Sequence, residues 1–164
     1  MRPHLFAIAT ALCIGACSKP EPPKITPHAA RVTSVTPLGV ELALELDVEN
    51  KNAFPLIVQE VTGTLKLGAG VEVGRARSEP KGSVPARATT RLPAALSVPW
   101  TQLGALAPLA ASGKPVPYTF DGTAKMGSAK INFDVPFTVK GEITQAQAVQ
   151  AGIRGLGGLI PMLK

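Results

Sequence analysis

The chain has 164 residues, of which 45% are hydrophobic and only 4% aromatic, and its 17 Lys+Arg against 11 Asp+Glu give a formal charge of +6. That length suffices for one domain with a sizeable core. The basic residues are scattered and not interleaved with aromatics, which argues against nucleic-acid binding and leaves only weak attraction to anionic headgroups.

A basic start (Arg2), an apolar stretch from Leu5 to Ile14 and small residues before a break describe a secretory signal over residues 1–16. The stretch is short for a bilayer span, which takes roughly 20 residues. An ordinary secretory signal is the other alternative. Ile14-Gly15-Ala16-Cys17 resembles a bacterial lipobox. The resemblance implies that the Cys17 thiol receives a diacylglycerol and that cleavage makes Cys17 the mature, acylated N-terminus, anchored in a bacterial cell envelope. Ser18 stands where Asp would retain a lipoprotein in the inner membrane, so the expected location is the outer membrane, facing the periplasm. Cys13 is discarded and Cys17 lipidated, so the mature fold keeps no thiol for a disulfide or a thiolate metal site.

Residues 17–29 carry Pro20, Pro22, Pro23 and Pro27 and read as a semi-rigid tether standing the domain roughly 30 Å from the bilayer. A β domain is expected over residues 30–143. Val40, Leu42, Leu44, Leu46 and Val48 alternate with Glu41, Ala43, Glu45, Asp47 and Glu49, the period of a half-buried strand. Ile57, Val61, Leu65 and Leu67 are expected on one face of the next strand. Tyr118–Met126 and Ile131–Val139 alternate in the same way. Leu92–Val98 does so less cleanly, with Pro93 pointing to an edge or bulge. Weaker strands are expected at Ala30–Thr36 and Val71–Arg77. Some seven strands with one apolar face each predict an antiparallel sandwich. Leu103, Leu106 and Leu109 predict a short helix near 100–111. Thr144 and Gln147 resemble a capping box that opens a helical, apolar tail over residues 144–164, which either packs on the sandwich or docks elsewhere.

Glu49-Asn50-Lys51-Asn52-Ala53-Phe54-Pro55-Leu56, between two strands, resembles the Asn-Pro-Asn motif of LEA14-like domains, the late-embryogenesis-abundant group-2 or WHy family. Gly70–Gly74, Lys81–Ala86, Val116–Gly122 and Pro136–Ile143 are similar to later family segments in order. Lys51 departs from the pattern, replacing the central proline. The resemblance implies a seven-stranded sandwich of fibronectin-III/Ig-like character. It also implies a stress-associated, lipid-anchored role without catalytic residues. The motif turn is Asn50, Asn52, Phe54 and Pro55.

Catalysis needs convergent acid, base, nucleophile or metal ligands. The mature chain has one histidine, His28, placed in the tether, which excludes a His-dependent triad or multi-histidine metal site. Glu41, Glu45, Asp47 and Glu49 read as a solvated strand face, and Asp121 and Asp134 have Lys125, Lys130 and Lys140 as alternative partners. Gly68-Ala69-Gly70 links two strands and so offers no phosphate loop. Asn50 and Asn52 read as turn formers, and Trp100 as a plug for one end of the core. No enzyme activity, metal or cofactor is expected. The expected partners are the membrane and an unknown envelope or stress-labile protein; the alternative role is an accessory subunit of an envelope lipid-handling or transport complex.

Overall fold

Apolar side chains at every second position need a second apolar layer over them, and the chain supplies it by pairing two antiparallel sheets face to face. The computed structural model describes residues 19–36, 38–102, 114–144 and 146–147. Eight strands follow one another: β1 (Lys24–Thr36), β2 (Gly39–Asn50), β3 (Leu56–Leu67), β4 (Val71–Ser78), β5 (Gly82–Val84), β6 (Ala88–Pro99), β7 (Val116–Ser128) and β8 (Ile131–Ile143). One sheet has the order β1-β2-β6; the other has β4-β3-β7-β8, with β5 also on β3. β4 pairs with Val61–Leu67 and β5 with Leu56–Val58, so together they form one interrupted edge.

The alternation on β2 is realised as read: Val40, Leu42, Leu44, Leu46 and Val48 are all buried. They join Val61, Leu65, Phe120, Ala124 and Phe137 in a single core. The second sheet brings aromatic rings against glycines on neighbouring strands. A Cβ at Gly63 would run into the Phe120 ring, one at Gly122 into Phe137, and one at Gly141 into Tyr118. These close approaches seat the rings inside the sheet and let Phe120 and Phe137 meet at 6.2 Å between centroids, tilted by 43°. Pro93 lies on β6, an edge strand, where proline is tolerated.

Four expectations change. The tether reading of residues 24–29 gives way to strand: β1 begins at Lys24 and pairs with β2 from Lys24↔Glu49 to Thr36↔Gly39. Pro27 is accommodated because β1 is an edge strand with a register shift between Pro27 and Ala29. Strand number rises from seven to eight through β5, whose three residues are too short to show a period. Ile57 is 57% exposed, because a register shift between Val58 and Glu60 changes the phase of β3, leaving Leu56 and Val58 inward ahead of it and Val61 after it. Phe133 is half-buried, not core.

Past β8, Thr144 and Gln147 form the expected capping box: the Thr144 N–H donates to Gln147 Oε1 at 2.9 Å, and the Gln147 N–H to Thr144 Oγ1 at 3.4 Å. Gln147 Nε2 also donates to the Val32 carbonyl of β1 at 3.0 Å. The expected helix around Leu103, Leu106 and Leu109, and the tail after residue 147, lie outside the described residues.

Candidate functional site

Continuing the period of β2 by one step turns Asn50 inward, where an aliphatic residue would otherwise sit. Asn50 and Asn52 are 1% and 6% exposed, the buried polar side chains among the described residues. Burial of an amide without partners would be destabilising, and every polar atom of this pair is engaged. Asn50 Nδ2 donates to the carbonyls of Phe54 (2.9 Å), Val84 (3.3 Å) and Pro85 (3.0 Å). Asn50 Oδ1 accepts the backbone N–H and the side-chain Nδ2 of Asn52, both at 3.0 Å.

Asn52 then reaches the N-terminal segment. Its Oδ1 accepts the Glu21 N–H and its Nδ2 donates to the Glu21 carbonyl, both at 2.8 Å. The side chain thus imitates one rung of a β ladder. The Asn52 carbonyl accepts the Arg87 N–H at 3.0 Å. Arg87 sits at φ 54°, a left-handed conformation that costs an L-residue roughly 1–2 kcal/mol and that this bond helps to hold. Two amides therefore bind together the segment before β1, the β2–β3 connection and the β5–β6 connection. Beside them, an open depression of about 310 Å³ is lined by Glu49, Asn50, Lys51, Arg87, Ala88 and Thr89.

Of the carboxylates considered as acid pairs, Glu45, Asp47, Glu49 and Asp121 are met by cations. Arg91 grips Asp47 with two bonds, Nε to Oδ1 at 2.8 Å and Nη2 to Oδ2 at 3.2 Å. His28 Nδ1 lies 3.3 Å from Asp47 Oδ2 and 3.0 Å from Arg91 Nη2. His28 is thus on β1, not in a tether. Arg91, ahead of His28, holds the Asp47 carboxyl below its usual range. Glu45 meets Arg31 at 3.4 Å and Glu49 meets Lys51 at 4.0 Å. Asp121 bonds Lys66 at 2.8 Å and Thr138 Oγ1 at 3.0 Å, and these bonds, Lys66 foremost, push its pKa down. Asp134 stands opposite Lys125 in the β7–β8 register, away from Asp121. Lowered carboxyl pKa values are the reverse of what a general acid needs. Among the described residues no group of three or more His, Cys, Asp or Glu is arranged to hold a metal.

At the opposite end of the sandwich, Trp100 packs against the core as a plug. Its Nε1 donates to the Thr36 carbonyl at 2.8 Å and its backbone N–H to the Leu38 carbonyl at 3.0 Å. Thr101 N–H donates to Val73 O at 2.8 Å, tying β6 to β4 across the two sheets.

Of the sequence-predicted site residues, Asn50, Asn52, Phe54 and Pro55 share the β2–β3 connection, with Phe54 half-buried and Pro55 exposed. Cys17 and the lipobox residues Ile14, Gly15 and Ala16 lie outside the described residues. Glu21, Val84, Pro85 and Arg87 were not legible as partners of the asparagines, because all four contribute backbone atoms. The His28–Asp47–Arg91 cluster has a signal that goes unused: Asp47 and Arg91 both fall on outward phases of their strands.

A family model described as late embryogenesis abundant protein matches residues 45–141. No curated protein matches the chain in sequence. Among solved structures, an Arabidopsis thaliana protein determined in solution superposes with a TM-score of 0.59 at 22% identity, covering 79% of this chain and 88% of its own. A crystal structure of a protein from Archaeoglobus fulgidus superposes with a TM-score of 0.52 at 17% identity, covering 76% and 95%. At these identities the likeness is one of fold.

Proposed function

We propose, for a chain that belongs to the late embryogenesis abundant family, that it is a non-catalytic lipoprotein of the cell envelope. Cys17 carries the lipid, and a LEA14-like sandwich with fibronectin-III-like strand order binds or protects other envelope components under desiccation or related stress. The observation that carries this reading is where the buried polar atoms go. Asn50 and Asn52 direct theirs to the chain's own backbone, and the acidic groups that titrate low are paired with cations on outward faces. What the domain offers other molecules is a surface.

Two measurements test it. Cys17→Ala should move the protein from the membrane to the soluble fraction of lysed cells; unchanged membrane attachment would remove the anchor. A labile enzyme dried with the domain should retain more activity than one dried with an unrelated sandwich of equal mass. Equal protection would overturn the protective role and favour an accessory subunit of an envelope complex, tested by co-purification from solubilised envelopes.

A further inference from the structure

The register places one set of strand ends together: the start of β1, the end of β2, the starts of β3 and β6, the end of β7 and the start of β8. Lys19, Lys24, Lys51, Lys81, Arg87 and Lys130 belong to this end, and all six are exposed. The carboxylates there are Glu21, Glu49, Glu60, Glu79 and Asp134; Glu49 is met by Lys51, Glu60 and Glu79 by Arg77, and Asp134 stands opposite Lys125. Among the described residues, Lys24, Lys81, Arg87 and Lys130 make no ion pair. The opposite end carries Leu38, the turn Gly68–Val71, Trp100, the start of β7 and the end of β8; among the described residues it exposes Leu38 (83%) and Val71 (41%) and balances the exposed Lys114 with the exposed Glu142.

We infer that the basic end is a docking surface for an anionic lipid bilayer, and that the domain stands on it with its strands pointing away from the membrane. Two further facts choose this occupant. The chain before Lys19 leaves from the same end, and it contains Cys17. The Asn52–Glu21 bonds also fix the chain close to where it leaves: with Cys17 lipidated, as proposed above, only four residue-to-residue steps lead from the anchor to the clamp at Glu21. At about 3.1 Å per residue they reach about 12 Å. The basic end is thereby kept near the range over which a charged surface acts, a Debye length of about 8 Å at physiological salt. Clustered Lys and Arg at such a surface each strengthen binding about fivefold. The far end lies on the order of 40 Å away along the strands and is out of reach.

The test uses the chain from residue 17 onward with Cys17→Ser, which keeps every described strand and separates charge from lipid. Sedimentation with vesicles of phosphatidylglycerol and phosphatidylcholine should show binding that phosphatidylcholine alone does not support and that 0.5 M salt removes. Lys24→Glu/Lys81→Glu/Lys130→Glu should weaken it about 100-fold or more. Arg31→Glu/Arg75→Glu/Lys140→Glu, the same charge change on the sheet faces, should weaken it at least tenfold less. Circular dichroism confirms that both variants fold. A polarity-sensitive dye on Cys at Ala53, in the basic end, should respond to anionic vesicles, and the same dye at Ala69 should not. Equal loss in the two triple variants, equal binding to neutral vesicles, or a response at Ala69 would overturn the inference. Because this chain is not lipidated, such a failure is distinct from failure of the Cys17 anchor, which fractionation of Cys17→Ala reads separately.

Discussion

At the end of the sandwich where β1 begins, two asparagine amides close the structure by bonding the backbone of three separate segments. At the other end an indole does so, by packing against the core and giving one bond to Thr36. The first end depends on hydrogen bonds in which each atom has an assigned partner, so loss of one amide strands several groups at once. The second depends on apolar contact, which degrades gradually as atoms are removed. The polar end is therefore the more cooperative and the less tolerant of substitution.

Substitutions can break that contrast, and the largest effect is expected at Asn50. Asn50→Ala removes the side-chain donor from three carbonyls, leaves the Asn52 backbone N–H without its acceptor and takes one of the two acceptors of Asn52 Nδ2, a loss of about 3–4 kcal/mol, measurable as a lower urea midpoint. A loss equal to that of an ordinary exposed turn asparagine would show that the amide network is not cooperative. Asn52→Ala removes the Glu21 clamp and should cost about 1–2 kcal/mol. It should also make the bonds near residues 19–23 faster to cleave in limited proteolysis than β1 itself. Trp100→Phe keeps most of the packing and deletes the bond to Thr36, so about 1 kcal/mol is expected. A cost as large as that of Asn50→Ala would erase the difference between the ends.

Lys51→Pro sharpens the comparison from the stabilising side. Asn50 before it is extended strand, as a residue preceding proline prefers. The substitution restricts the unfolded chain and should raise stability by about 0.5–1 kcal/mol, read as a higher thermal midpoint. The smallest effect concerns pH. Asp121 has its pKa lowered in the folded state by Lys66 and then Thr138. It therefore contributes stability that is present above the usual carboxylate range and is lost as pH falls through the lowered folded value. Asp121→Asn should flatten the decline of the unfolding midpoint below about pH 4 and leave the midpoint at pH 7 little changed, because the pair is largely solvent-screened.

Much of the sandwich was legible in the residues. β2 and the later part of β8 could be read because their two faces differ at nearly every step, and β6 because Pro93 marks an edge. The first half of β1 was hidden by Pro27 and the prolines just ahead of the strand, since the pairing that tolerates Pro27 is supplied by a neighbour 19 positions further on, Leu46. Ile57 was misplaced because a bulge changes phase without any residue type that announces it. The asparagines were read as local turn formers. Their inward phase was available by counting from Val48, but their partners are carbonyls and N–H groups that every residue possesses, so no side-chain pattern could point to them.

The direction in which the chain leaves the domain has a mechanical consequence. Tension applied ahead of β1 runs along that strand's own axis, so the rungs from Lys24↔Glu49 to Thr36↔Gly39 share the load together instead of peeling apart one by one. A domain dragged from its N-terminus is thus gripped in shear, and it should yield at a higher force than the same fold pulled through an attachment placed across its strands.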